Sequence, residues 1–132
     1  MLRIPRKLAD AAIDHACEGF PLEVCGILGG TEEKVSTLFR MTNTDQSNEH
    51  FMMAPTEQFA VMKEMRAKGM EMLAIYHSHP ESPARPSAED VRLALTPNVS
   101  YVIVSLQDAN NPVLKSFRII AGRIEPEEVE YL

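Results

Sequence analysis

The 132-residue sequence has no tryptophan, only two cysteines (Cys17 and Cys25), and no apolar run near the roughly 18 to 20 residues that span a bilayer. Its first residues, Met1 to Lys7, are basic, but an amphipathic stretch follows them instead of an apolar signal core. Two thiols in a chain without a leader are expected to stay reduced. These absences argue against a membrane protein and against a disulfide-stabilised secreted domain, and they predict a cytoplasmic protein.

Clusters of basic residues are also missing. The 13 lysines and arginines are scattered, and the 19 acidic residues give a net charge of −6. Because phosphate contacts need grouped lysines and arginines, we do not expect nucleic acid as a partner. Neither repeats nor a composition change marks a boundary, so we predict a single domain over residues 1–132. The oligomeric state, including a homo-oligomer, is left open.

Hydrophobic periodicity predicts a mixed order of helices and strands. Helical spacing predicts helices over residues 6–20, 56–68 and 87–95, the last two with Thr56 and Ser87 as N-caps. Apolar and β-branched runs predict strands over residues 24–28, 35–41, 51–53, 72–79, 101–106, 116–121 and 124–131. This order predicts an α/β (α+β) fold in which one mixed β-sheet is flanked by helices.

The segment His77-Ser78-His79-Pro80, followed by Ser87 and Asp90, has the residue types of a metal site. Residues 77 and 79 of one strand point to the same face, about 6.6 Å apart along it. Two imidazoles at that spacing can bind one zinc ion, and a carboxylate in the first turn of the next helix can supply a third ligand. Three protein ligands would leave a fourth position for water, as catalytic zinc requires.

Each of these features also has a structural interpretation. A strand can carry two histidines for packing, and Ser87 with Asp90 can be a helix capping box. Cys25, in an apolar run, is expected to be buried and inert rather than a nucleophile. For three further residues we predict ordinary surroundings: Cys17 in the core, and His15 and His50 at the surface.

The full spacing decides between these interpretations. His-x-His, seven residues, Ser, two residues and Asp resembles the motif of the JAMM (MPN+) metallopeptidases, and Glu23-Val24-Cys25-Gly26 resembles the family's upstream glutamate segment. The resemblance extends from about Leu8 to Ala121. It implies a cytidine-deaminase-like architecture, one Zn²⁺ per chain held by His77, His79 and Asp90, and two catalytic residues. Glu23 would transfer the proton of the attacking water, and Ser87 would stabilise the oxyanion.

The short chain resembles the compact prokaryotic branch of this family. That branch implies hydrolysis of a peptide or isopeptide bond at the C-terminal Gly-Gly of a ubiquitin-like or sulfur-carrier protein, including release of cysteine built on such a carrier. Two alternatives stay open. One is a binding module that docks such a tail without cleaving it. The other is a RadC-like domain associated with DNA repair, against which the acidic charge and the missing DNA-binding extension count.

Overall fold

Eight strands form one mixed sheet, and three helices accompany it, in a computed structural model that describes residues 1–132. The strands are β1 (Leu2–Ile4), β2 (Cys25–Thr31), β3 (Lys34–Met41), β4 (Glu71–His79), β5 (Ser100–Ser105), β6 (Val113–Ile120), β7 (Arg123–Glu127) and β8 (Val129–Tyr131). The helices are α1 (Arg6–Gly19), α2 (Pro55–Ala67) and α3 (Ala88–Arg92). The predicted mixed sheet with helices is confirmed. No helix here combines the length and the apolar character that a membrane crossing would need.

The strand order is β7-β6-β5-β4-β2-β3-β1-β8, so β4 lies near the middle of the sheet. It pairs antiparallel with β2 on one side and parallel with β5 on the other. The two edge strands β7 and β8 are separated in sequence by Glu128 alone. Since one residue spans less than 4 Å, the sheet must curl until its two edges approach each other at this point.

Alternation along β4 assigns its side chains to two cores. Ala74 and Tyr76 belong to the larger cluster, which also contains the alanines of α1, whereas Ile75 packs in the cluster that contains Met65 of α2. His77 and His79 follow Ile75 at steps of two residues. Both histidines therefore lie on the α2 side of the sheet, at the carboxyl end of β4.

Several predicted elements differ from those observed. The strands β1 and β8 were not predicted as separate elements, and α3 is five residues long instead of the nine predicted over 87–95. Residues 51–53 form no strand and make only the isolated bridge between Asn43 and Met53. The predicted N-cap Thr56 is wrong: Ala54 occupies that position, and Pro55 supplies the first helical residue.

Two predictions for α1 are also wrong. Only alanines of this helix, Ala9, Ala12 and Ala16, are buried against the sheet, while Cys17 is exposed. His15, predicted at the surface, is half-buried because the hydroxyl of Tyr76 hydrogen-bonds to its Nδ1 at 2.6 Å.

Candidate functional site

Three predicted site residues converge at the carboxyl end of β4. The Nε2 atoms of His77 and His79 lie 3.1 Å apart. The Oδ2 atom of Asp90 lies 3.2 Å from Nε2 of His77 and 3.0 Å from Nε2 of His79. Both histidines are 3% exposed, so the three donor atoms face one another in a largely buried position.

These separations fit a metal ion. Ligand atoms about 2.0–2.2 Å from a tetrahedral ion lie about 3.3–3.6 Å from one another, within a few tenths of an ångström of the observed values. Two imidazole nitrogens and one carboxylate oxygen are donors that first-row divalent metals accept. His77, His79 and Asp90 can therefore hold one metal ion and leave a coordination position open.

Two of the three candidate ligands, His79 and Asp90, are oriented by hydrogen-bond partners outside the cluster. The Nδ1 of His79 lies 2.8 Å from the carbonyl oxygen of Pro83. If Nδ1 donates its hydrogen to that carbonyl, Nε2 carries the free lone pair that a metal requires. The proline-rich loop 80–86 thus supplies the acceptor that fixes this tautomer.

Asp90 is oriented by the helix cap that Ser87 forms. The backbone N–H of Ser87 donates to Oδ2 of Asp90 at 2.9 Å, and the N–H of Asp90 donates to Oγ of Ser87 at 3.0 Å. The capping box anticipated for these two residues is present. It ties the carboxylate to the start of α3 and brings the helix to the histidines.

The electrostatics of the cluster suit a cation. Burial alone would raise the pKa of Asp90, but hydrogen bonds from His77 and His79 outweigh it and hold that pKa far below its usual range. Burial lowers the pKa of His77. Burial also opposes the charged form of His79, but the hydrogen bond to Asp90 raises its pKa overall. The ionised carboxylate and the neutral His77 are in the protonation states that metal binding requires, whereas His79 must release any proton on Nε2 when a metal binds.

Glu23 lies on the same face of the sheet as the two histidines. Cys25 pairs with His77 in the β2–β4 register, and Glu23 precedes Cys25 by two residues, so its side chain points to the same side. It is 4% exposed, and its Oε1 is a buried side-chain oxygen without a hydrogen-bond partner. Burial raises its pKa to about 7, against an opposing effect of His79.

A cleft of about 340 Å³ adjoins His77 and Asp90. Its walls come from the loop before α2, from α3 and from strands β5 and β6, and include His50, Phe51, Met52, Leu93, Tyr101 and Ile119. His50 is exposed, as predicted, and borders this cleft. Cys25 is fully buried, and burial raises the pKa of its thiol to about 12, so the prediction of an inert thiol agrees with the structure.

Two residues beside the site were missed in the sequence. The ring of Phe51 stacks on His77 with a centroid distance of 4.7 Å. The side chain of Asn43 donates from Nδ2 to the backbone carbonyl of Glu23 at 3.1 Å. Neither residue belongs to the spacing that pointed to the site, and a loop asparagine or phenylalanine alone indicates no contact with it.

Residues 5–120 match the family described as prokaryotic homologs of the JAB domain. The chain belongs to this family. The resemblance to the compact prokaryotic branch of the JAMM (MPN+) proteins, drawn from the motif spacing, is thereby confirmed.

Named relatives of this JAB-family chain include two curated proteins. The CysO-cysteine peptidase of Mycobacterium tuberculosis is 35% identical over 131 residues, covering 98% of this chain and 90% of that protein. The desampylase of Haloferax volcanii is 32% identical over 111 residues, covering 79% of this chain and 80% of that protein.

A solved structure of the same fold is a protein from Desulfitobacterium hafniense. It superposes with a TM-score of 0.90 at 43% identity and covers 100% of this chain and 93% of that one.

Proposed function

We propose that this protein is a zinc metallopeptidase that cleaves after the C-terminal Gly-Gly of a ubiquitin-like or sulfur-carrier protein. The observation that carries the proposal is the convergence of His77, His79 and Asp90, with the unpartnered carboxyl of Glu23 on the same face. The names of the two relatives, a CysO-cysteine peptidase and a desampylase, support a hydrolase of this substrate class.

In this proposal the two imidazoles and the Asp90 carboxylate hold one zinc ion per chain. When bound, zinc lowers the pKa of a water molecule to about 7 and polarises a carbonyl group. Nitrogen and carboxylate ligands with one open position suit zinc in its catalytic form. Loop 80–86 and the cap of α3 keep the ligands aimed at one point, so little reorganisation is needed on binding.

Glu23 moves the proton. Its Oε1 is buried without a partner, so it is free to accept a hydrogen from the attacking water. A carboxyl whose pKa lies near 7 can take up that proton at neutral pH and then give it to the leaving amine.

Ser87 is proposed to stabilise the oxyanion. Its Oγ accepts the cap hydrogen bond from the Asp90 N–H, and its own hydroxyl hydrogen remains available to donate. A donor fixed at the start of a helix, next to the ligand Asp90, is pre-positioned for charge that develops on the scissile carbonyl oxygen.

The walls of the site favour a thin substrate. Phe51 covers one face of the His77 ring, and Pro83 lies against His79. The cleft beside His77 is lined by Phe51 of one loop and by Pro86 of the other. In this proposal a tail reaches the metal position between these two loops, and glycines before the scissile bond would fit where larger side chains clash. An extended tail could also pair its main chain with the loop residues.

Metal content tests the ligand assignment. We expect about one zinc per chain in the purified protein, because three ligands and one open position describe a mononuclear site. His77→Ala and Asp90→Ala should each lower the zinc content sharply, as measured by elemental analysis, whereas Glu23→Gln should keep it. Equal metal in the wild type and in both ligand variants would refute the assignment.

Cleavage is tested by mass spectrometry with a sulfur-carrier protein ending in Gly-Gly-X, where X is cysteine or another added group. We expect trimming after the second glycine. The same carrier with Ala-Ala in place of Gly-Gly, and a generic unfolded protein, should survive. Glu23→Gln should reduce the rate by about 10²–10⁴-fold, since an amide cannot accept the proton. Equal degradation of the unfolded protein would indicate a general peptidase instead, and binding of the carrier without cleavage would indicate a docking module.

A further inference from the structure

Residues 43–53, which we call the site loop, join two parts of the active site. The loop is closed by the bridge between Asn43 and Met53. Near its middle, the carbonyl oxygen of Ser47 accepts from the backbone N–H of Glu23 at 2.8 Å. Near its end, Phe51 stacks on His77. One loop thus contacts both the proposed proton-transferring residue and a proposed metal ligand.

The side chain of Asn43 organises this loop from within. Its Nδ2 donates to the carbonyl oxygens of Glu23 and His50, both at 3.1 Å. Its Oδ1 accepts from the N–H groups of Asp45 at 3.0 Å and Met52 at 3.1 Å. An amide has two donor hydrogens and two acceptor lone pairs, so every hydrogen-bonding capacity of Asn43 is used. All four partners are backbone groups.

The carboxyl of Glu23 has no comparable anchor of its own. Its Oε1 makes no hydrogen bond, so the place of that atom depends on where the backbone puts the residue. Outside the regular strand pairs, the backbone at this point is held by Ser47, by Asn43 and by Ser78. The Oγ of Ser78 accepts from the N–H of Val24 at 2.8 Å, and the N–H of Ser78 donates to the carbonyl of Val24 at 3.0 Å. Among these residues, Asn43 is the one whose side chain contacts both the backbone of Glu23 and the backbone of the site loop.

We propose that Asn43 is a positioning residue, which holds the backbone of Glu23 against the site loop and thereby places the Glu23 carboxyl for proton transfer. Asn43 itself does not touch the substrate. The proposal rests on the function proposed above for Glu23. Because its role is one of placement, losing it should lower kcat while leaving metal binding and KM nearly unchanged.

Two variants of Asn43 and one matched control test this role. Asn43→Asp keeps the shape and the acceptor oxygen but removes the donor to Glu23, and Asn43→Ala removes both. Thr44→Val is the control, because Oγ1 of Thr44 donates to the carbonyl of Met52 at 2.9 Å and so closes the same loop without contacting Glu23. A general weakening of the loop would affect all three variants alike.

Kinetics on the Gly-Gly-X carrier separate the possibilities. We expect kcat to fall roughly 10- to 100-fold in both Asn43 variants, since a displacement of about 1 Å can cost that much. KM should stay within about threefold, zinc content should not change, and Thr44→Val should keep kcat within about threefold. If KM rises while kcat is kept, Asn43 acts on the cleft wall and the proposal fails. It also fails if all three variants lose kcat equally.

Hydrogen exchange tests the placement without relying on activity. The amide of Glu23, which donates to Ser47, should exchange at least about tenfold faster in both Asn43 variants than in the wild type and in Thr44→Val. Unchanged exchange at Glu23 in the Asn43 variants would overturn the proposal. If the wild type cleaves no carrier, the proposed function is wrong, and the exchange measurement still decides whether Asn43 holds Glu23 in place.

Discussion

At the scale of single residues, Glu23 occupies a position that opposes its own ionisation. Burial raises the pKa of this carboxyl from an ordinary value of 4.5 to about 7. Because the folded state then holds the proton more tightly than the unfolded chain, raising the pH through this range must lower the stability of the metal-free protein. If Glu23 is the base that we propose, the site retains this destabilisation in exchange for a carboxyl that titrates near neutral pH.

Glu23→Gln should therefore stabilise the metal-free protein while lowering the cleavage rate about 10²–10⁴-fold. Glutamine is neutral at every pH, so its advantage should be small near pH 4.5, grow as the pH rises, and level off above pH 7. We expect roughly 2 kcal/mol at pH 8, somewhat below the full linkage value because the folded protein can relax around a buried charge. Urea denaturation of the wild type and of Glu23→Gln in the presence of a chelator, at pH 4.5 and pH 8, measures this difference in stability. A variant that is less stable at pH 8 would contradict this explanation.

The sequence pointed to those candidate site residues that follow a fixed spacing. Local rules place His77 and His79 on one strand face and Asp90 in the first turn of the next helix, and the structure brings all three together. Asn43 and Phe51 escaped prediction because their contacts are made across the fold, through a loop whose path no periodicity describes. Cys17 was misplaced for a related reason: helical spacing predicts an apolar face but not how much of it the sheet covers.

At the scale of elements, the pairing of β2 with β4 requires that Gly26 carry no side chain. A Cβ atom added to Gly26 would lie 2.0 to 2.4 Å from two ring carbons and the hydroxyl oxygen of Tyr76. Tyr76 is fully buried and is the residue opposite Gly26 in the register. Since a buried ring cannot swing away from such a contact, the two strands would have to separate at the point where His77 follows.

Gly26→Ala should destabilise the protein by about 2–3 kcal/mol through overpacking. Chemical denaturation measures the loss, and Gly69→Ala is the matched control. At Gly69 φ is +69° and no atom lies within 4 Å of the added Cβ, so only backbone strain of about 1 kcal/mol is expected. In a Tyr76→Leu background the cost of Gly26→Ala should shrink, because the ring is gone. An equal cost in both backgrounds would exclude the ring as the cause.

The observed bounds of the strands and helices show which elements can be predicted from the local sequence pattern. The strands longer than five residues were predicted within a few positions, because their apolar runs are long enough to recognise. The three-residue strands β1 and β8 carry too little pattern, and they exist because they pair with each other across 127 positions of sequence. The helix α3 ends early, at Arg92, since nothing downstream buries the exposed Leu93 and Leu95.

At the scale of the whole molecule, the curled sheet closes around the carboxylate of Glu127, whose side chain is 5% exposed. Its Oε1 accepts from the hydroxyls of Ser100 at 2.6 Å and Ser116 at 2.8 Å. Its Oε2 accepts from Nε of Arg118 at 3.0 Å and from the amino group of Met1 at 3.2 Å. This single residue joins β5, β6 and β7 to the chain that enters β1.

The closure should fail in acid. Burial alone would raise the pKa of Glu127, but the hydrogen bonds from Ser100, Ser116 and Arg118 lower it below its ordinary value. A carboxyl with a depressed folded pKa contributes stability that is fully present above pH 4.5 and is lost as the pH falls below that value.

Glu127→Gln keeps the size of the side chain but loses its charge, so it should cost about 1–3 kcal/mol of stability at pH 7 and progressively less toward pH 3. Thermal unfolding of both proteins from pH 7 to pH 3 measures the difference, with Glu125→Gln as control, since Glu125 is exposed and pairs only with Arg123 nearby. If the melting temperatures of the wild type and of Glu127→Gln differ by the same amount at every pH, the charge of Glu127 does not hold the sheet closed. The shape of the side chain alone would then account for the closure.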